Sequence, residues 1–251
     1  MKDLTVIILS RNEQDVIEDA ILSVKGFAKE IIVVDALSTD NTYEIALKNG
    51  VNVIKHAFVD FSDQRNFGMN HAKSLWVYYL DADERATPAF KKEVESVIKE
   101  SQELDKYGGY YIQRKTFYYG KDWGMIDRVQ RLFIRSRFVE WRGVVHETPI
   151  IKGEFGTIKS PILHYTHRNL SQMVTKTNEW SEFEAKLRLD THHPPLVPWR
   201  FIRVMVSEFF VSYIKNRGYR NGTYGIIEAM YQSFSIFITY AKLWEQQAKK
   251  N

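Results

Sequence analysis

Along residues 1–100, apolar positions fall in two kinds of block. Leu4 to Leu9, Ile31 to Val34, Val51 to Ile54 and Trp76 to Leu80 are short unbroken apolar runs, the pattern of strands buried on both faces of a sheet. Between them the spacing becomes helical. Ile17, Ala20, Ile21 and Val24 share one helix face, Ser38, Thr39 and Asp40 can cap a helix carrying Ile45 and Ala46, and residues 63–73 predict a third helix. Thr87-Pro88 then opens a helix running through Lys99, with Val94, Val97 and Ile98 facing inward. Strand and helix in alternation predict right-handed crossovers and an α/β fold with a mixed, mostly parallel sheet flanked by helices. Ligands of such sheets bind beyond the carboxyl ends of the strands, and that edge collects Arg11, Glu13, Asp35 and Asp81 to Glu84.

The texture changes after residue 100. Gly109 to Tyr119 and Val129 to Ile134 predict strands separated by a loop, Gly120 to Gly124, whose Trp123 either stacks on a ligand's ring face or plugs the interior. From Arg200 to Lys215, Ile202, Met205, Val206, Phe209, Phe210 and Tyr213 fall on one side of a helix, with Arg200, Arg203, Ser207 and Lys215 opposite. A basic, glycine-punctuated turn from Asn216 to Gly222 leads to a second stripe of Ile227, Met230, Tyr231, Phe234, Ile238 and Ala241. Such a hairpin suits either an interface with anionic headgroups or a flap packed on the catalytic domain or on a second subunit. The expected division is a catalytic domain over 1–168, with halves 1–100 and 101–168, followed by a helical region over 169–251.

Composition narrows the choices. The formal net charge of +4 does not indicate a nucleic-acid partner, and the absence of cysteine excludes disulfides, thiolate metal sites and cysteine nucleophiles. Met1 leads directly to Asp3 and a strand, without a signal-peptide pattern, and no uncharged apolar stretch approaches the roughly 20 residues of a spanning helix. The expectation is an uncleaved, cytosol-facing protein, peripheral on the inner face of the cytoplasmic membrane.

Clustered carboxylates at a strand end repel one another unless a cation or substrate offsets them. Asp81-Ala82-Asp83 therefore points to Mg²⁺ or Mn²⁺ holding a diphosphate, with a solvated acidic turn as the alternative. The loop Ser10 to Glu13 lacks the glycine-rich dinucleotide fingerprint and the phosphate-loop lysine, which argues against a dehydrogenase or an NTPase. Asp35 can accept a hydrogen bond from a base or ribose, or cap a turn; Glu13 shares that ambiguity. Arg65 either meets base or phosphate or is a solvated helix arginine. Arg128 and Arg131 either reach a phosphate or face solvent.

Ile-Leu-Ser-Arg-Asn-Glu at 8–13, Val-Val-Asp-Ala-Leu-Ser-Thr-Asp-Asn-Thr at 33–42, Gln-Arg-Asn-Phe-Gly at 64–68 and Leu-Asp-Ala-Asp-Glu at 80–84 resemble the successive signatures of family-2 nucleotide-sugar glycosyltransferases with the GT-A fold. Ala36-Leu37 departs from the acidic or glycine residues often found there. The resemblance implies Asp35 and Glu13 near uracil or ribose, Asp81 on the ribose side and Asp83 on the metal. An inverting transfer needs a base for the acceptor hydroxyl, and Glu147 suits the family's pattern, with pairing to an arginine as the bland reading and Asp127 in reserve. His164 resembles the late histidine that completes the metal site in some GT-A enzymes, with His146 a weaker candidate. The tail, with Lys176-Thr177-Asn178 and Gly225 to Glu245, is similar to transferases that add a β-1,4-glucosyl unit to the lipopolysaccharide inner core. The implied donor is a UDP-sugar and the acceptor a lipid-linked saccharide. A sugar-phosphate nucleotidyltransferase and a catalytically silent membrane-attached binding module are the alternatives; the oligomeric state is left open.

Overall fold

The computed structural model describes residues 3–100, 106–144 and 147–249. They divide into two compact units, one of Met1–Thr116 with Ile126–Tyr165, the other of Phe117–Met125 with Thr166–Asn251.

In the first unit the apolar runs become β1 (Leu4–Ser10), β2 (Glu30–Asp35), β3 (Asn52–Lys55) and β4 (Trp76–Asp81), joined by α1 (Ile17–Val24), α2 (Thr42–Lys48) and α3 (Phe61–His71). β5 (Glu84–Arg85), α4 (Pro88–Glu100), β6 (Tyr107–Tyr118), β7 (Lys121–Ile134), β8 (Phe138–Arg142), β9 (Thr148–Ile151) and β10 (Glu154–Thr166) follow. The large sheet has the order β3-β2-β1-β4-β7-β6-β10-β5, and β8 pairs with β9 separately. β1 runs parallel to β2 and β4, and β2 to β3, whereas β7 runs antiparallel to β4 and β5 antiparallel to β10.

Strand periodicity explains why the runs contain no polar break. Leu4, Val6 and Ile8 of β1, with Trp76, Tyr78 and Leu80 of β4, pack against Ile17, Ala20, Ile21 and Val24 of α1 and Phe90 and Val94 of α4. Their neighbours Ile7, Val77 and Tyr79 face the other way, onto Met69 of α3 and Trp141 of β8. Each large side chain removed from water in this way contributes about 1.5–3 kcal/mol. Both faces being covered leaves the strand ends as the place where polar groups can gather.

The loop expected over 120–124 is a tight hairpin instead. Tyr119 and Gly120 both take positive φ, 51° and 72°, as a two-residue turn of the type that matches strand twist requires, so Lys121 to Gly124 already belong to β7.

The second unit consists of the hairpin tip with α5 (Leu170–Asp190), α6 (Pro198–Phe210), a π-helical turn (Val211–Lys215) and α7 (Thr223–Ala248). α7 packs on both α5 and α6. The side it buries includes Gly225, Ala229 and Ser233, small residues that allow close approach, and Ser233 Oγ donates to Met205 O at 3.0 Å. A Cβ on Gly225 would lie 1.8 Å from Gly218 O. Several larger apolar residues face outward: Ile202 is 68% exposed and Phe210 59%, with Trp199, Val206 and Met230 also exposed. No helix among the described residues is long and apolar enough to cross a membrane.

Candidate active site

The sheet register brings the predicted groups to one edge. Ser10 pairs with Asp35 across β1 and β2, and Leu9 with Asp81 across β1 and β4. Asp35 is fully buried, its carboxylate taking Ser38 N at 3.0 Å and Ser38 Oγ at 2.5 Å. It thereby fixes the turn after β2, in which Leu37, at the departure from the family pattern, holds a positive φ of 54° that glycine would hold without strain. The loop after β1 is pinned to the same turn: Thr39 N donates to Asn12 Oδ1 at 2.8 Å and Glu13 N to Thr42 Oγ1 at 2.8 Å. Glu13 is buried there, while Arg11 is exposed, with its guanidinium 5.8 Å from the ring centre of Phe58.

Asp81 and Asp83, one residue apart on either side of Ala82, have different surroundings. Asp81 Oδ1 accepts from Arg65 Nη2 at 3.1 Å and Oδ2 from Arg131 Nη2 at 3.0 Å. Burial alone would raise the Asp81 pKa, but Arg131 and then Arg65 outweigh it and hold the carboxyl well below its ordinary range. Asp83 meets His164 instead, Oδ2 to Nε2 at 3.4 Å. The contact exists because β5 pairs with β10, opposing Glu84 to His164. Burial lowers the His164 pKa, the hydrogen bond and charge of Asp83 raise it, and the net direction is upward.

Arg65 is 2% exposed and donates through Nε to Glu147 Oε1 at 2.9 Å, while Arg131 Nη1 lies 3.9 Å from the same oxygen. Tyr79 and Trp141 flank its guanidinium at 5.4 and 5.1 Å. The arginine is thus neither a solvated helix residue nor an open arm: it clamps Asp81 and Glu147 together. Its Nη1, like Arg131 Nε, is buried without a hydrogen-bond partner among the described residues. Asp127 is gripped by Arg114 through both oxygens, at 3.1 and 2.6 Å.

Two participants had no role of their own assigned from sequence. Glu84, grouped with the strand-end carboxylates, is wholly buried; it accepts Asp81 N at 2.9 Å and faces Arg114 Nη1 at 3.3 Å. Burial and the nearby Asp81 charge raise its pKa. Arg131, expected either to reach a phosphate or to face solvent, is buried and shared between two carboxylates. His146 lies outside the described residues. Trp123 is 9% exposed and belongs to the second unit, edge-on to Tyr118 at 4.8 Å.

As a metal site, Asp83 and His164 offer one hard oxygen ligand and one imidazole, and no group of three or more such side chains gathers among the described residues. Two protein ligands suit a Mg²⁺ or Mn²⁺ ion that keeps waters and takes diphosphate oxygens.

The family model described as glycosyl transferase family 2 matches residues 5–163. An uncharacterized glycosyltransferase of Rickettsia bellii (strain RML369-C) is 27% identical over 264 residues, covering 100% of this chain and 89% of its own. The lipopolysaccharide core biosynthesis glycosyltransferase LpsC of Rhizobium meliloti (strain 1021) is 24% identical over 262 residues, covering 98% and 94%. Among solved structures, glucosyl-3-phosphoglycerate synthase from Mycobacterium tuberculosis, in complex with Mn²⁺, UDP and glucosyl-3-phosphoglycerate, aligns at 21% identity with a TM-score of 0.37, over 47% of this chain and 44% of that one. The chain therefore spans less than half of that solved chain.

Proposed function

The chain belongs to glycosyl transferase family 2, and from that premise we propose a metal-assisted, inverting enzyme that moves a hexose from a UDP-sugar to a hydroxyl of a lipopolysaccharide-core or other lipid-linked saccharide. The observation that carries this reading is the Asp83 and His164 pair on the same sheet as the strand ends bearing Asp35 and Asp81. The name of the Rhizobium relative, which aligns over nearly all of both chains, supports a saccharide acceptor.

Mg²⁺ or Mn²⁺ held by Asp83 and His164 would neutralise charge on the departing diphosphate. Arg11, Glu13 and Asp35 frame the nucleotide, Asp35 through the turn it fixes. Arg65 and Arg131 orient Asp81 on the ribose side and hold Glu147 by one oxygen, Oε1. The other oxygen of Glu147 takes the acceptor hydroxyl's proton as the acceptor oxygen bonds to the anomeric carbon and the bond from that carbon to the diphosphate oxygen breaks. Asp127, with both oxygens on Arg114, is the poorer base.

The protein is further read as peripheral on the membrane that carries its acceptor. Exposed Trp199, Ile202, Val206 and Phe210 on α6, with exposed Arg203, Lys215 and Arg217, support an interfacial face beside anionic headgroups.

The test is UDP release from a panel of UDP-hexoses with a lipopolysaccharide-core acceptor, in Mn²⁺ or Mg²⁺ and again in excess EDTA. Acceptor-dependent turnover that falls at least 100-fold in EDTA is expected. No turnover of any donor in either metal contradicts the proposal.

A further inference from the structure

Asp83 serves a metal only if its carboxylate is aimed, and a side chain is aimed by its backbone. Each peptide unit is planar, so the direction of the Asp83 Cβ follows from how the two planes that flank its Cα are held. Ala82 O, in the first plane, accepts from Arg85 Nη1 at 2.9 Å, and Asp83 O, in the second, accepts from Tyr165 N at 2.9 Å. Arg85 Nη1 also donates to Glu84 O at 2.8 Å, so one nitrogen holds the carbonyls of the residues before and after Asp83. Asp81 N is taken by the Glu84 carboxylate. The turn that bears the two aspartates is thus fastened along its whole backbone.

The other end of the same guanidinium leaves the turn. Arg85 Nη2 donates to Val16 O at 2.9 Å and meets Asp19 Oδ2 at 3.4 Å, both at the start of α1. Val16 N and Ile17 N in turn donate to Glu13 O at 3.0 and 2.9 Å. One planar group therefore spans from the turn bearing Asp83 to the loop bearing Arg11 and Glu13. The next residue is tied to the same helix, Ala86 N donating to Ser23 Oγ at 3.2 Å.

Arginine suits this span and lysine does not. The two η nitrogens carry four N–H donors in a rigid plane, and four acceptors face them here; an ammonium offers three donors from a single point. The Arg85 side chain is only 13% exposed, whereas that of Asp19 is 71% exposed. An ion pair with so exposed a carboxylate contributes little, so the place of the guanidinium is set by the three carbonyls. We infer that Arg85 is a positioning residue of the strand-end site, holding the Asp83 turn in register with the nucleotide loop so that a divalent ion and a nucleoside diphosphate bind there cooperatively, a role that rests on the metal-assisted reading in taking Asp83 as a ligand of that ion. The nucleotide loop keeps its own bonds to Thr39 and Thr42 whether or not Arg85 is present, so the coupling is what the arginine adds.

The test is calorimetric titration of UDP, with and without Mn²⁺, into the unaltered chain, Arg85→Lys and Arg85→Met, with urea unfolding of each. Mn²⁺ should tighten UDP binding about tenfold or more in the unaltered chain and less than about threefold in both variants, while UDP affinity without Mn²⁺ stays within about threefold. Arg85→Lys keeps the charge and the aliphatic stem, so it reads the site even if Arg85→Met perturbs folding. An arginine that only props the fold would lower the urea midpoint and leave the Mn²⁺ gain intact. A full gain in Arg85→Lys, or a loss of metal-free UDP affinity as large as the loss of the gain, overturns the role; a Mn²⁺ gain in the unaltered chain then still upholds the metal-assisted reading. No Mn²⁺ gain in the unaltered chain removes that reading and the role of Arg85 together.

Discussion

The sheet unit and the helical unit solve the burial problem in opposite ways. At the strand ends charge is inside: Arg65, Arg131 and Glu84 are all buried, and Asp81 and Glu147 are bound to the two arginines. In the helical unit apolar surface is outside, on α6 and α7, while the side of α7 turned inward is largely small or polar. Buried charge is tolerable only when each ion has a partner, which commits that edge to one geometry. An exposed apolar face has no internal partner, so its role is sought in something external.

The largest break in this contrast is expected from Arg65→Met. Removing the guanidinium leaves Asp81 and Glu147, two carboxylates at a buried edge, with Arg131 as their one remaining arginine, at a cost of about 3–5 kcal/mol in urea unfolding. A loss below about 1 kcal/mol would show that the clamp is ornamental. Glu147→Gln separates chemistry from structure. The amide can still accept from Arg65, so stability should stay within about 1 kcal/mol while kcat falls roughly 10²- to 10⁴-fold, the usual worth of a general base. Equal losses in folding and turnover would make Glu147 structural only.

Much of the first unit was legible because strands covered on both faces read as unbroken apolar runs, and their carboxyl ends fall where the runs stop. Asp35 and Asp81 were placed that way, and β1 lies between them. Pairings between distant segments were not legible. Asp81 shares Arg65, sixteen residues earlier, and Arg131, fifty later, and no local pattern encodes either. Nor did β5 stand out: two residues make no periodicity, yet their pairing with β10 sets Asp83 beside His164. The Tyr119-Gly120 turn was hidden because the polar and glycine residues of Lys121 to Gly124 look like loop although they are paired strand. The outward stripe of α6 was visible as a stripe, but sequence alone does not say which side of a helix the fold covers.

Smaller effects sharpen the helical side of the comparison. Gly225→Ala drives a Cβ into Gly218 O, and a loss of about 1–3 kcal/mol is expected from overpacking; an unchanged melting temperature would mean that α7 has slack at that contact. The double variant Ile202→Ser with Phe210→Ser should leave unfolding within about 0.5 kcal/mol, because exposed positions contribute little to the folded state. Co-sedimentation with anionic vesicles at low salt should nevertheless drop in that variant. Vesicle binding that persists there, or that is absent in the unaltered protein, removes the interfacial reading.

The most direct measurement on the strand-end site is calorimetric titration of UDP, with and without Mn²⁺, into the unaltered chain and into Asp83→Ala. Mn²⁺ should tighten UDP binding at least tenfold in the former and have no effect in the latter, with both proteins unfolding at the same urea concentration. A full Mn²⁺-dependent gain in Asp83→Ala would contradict the assignment of Asp83 as the residue that joins metal to diphosphate.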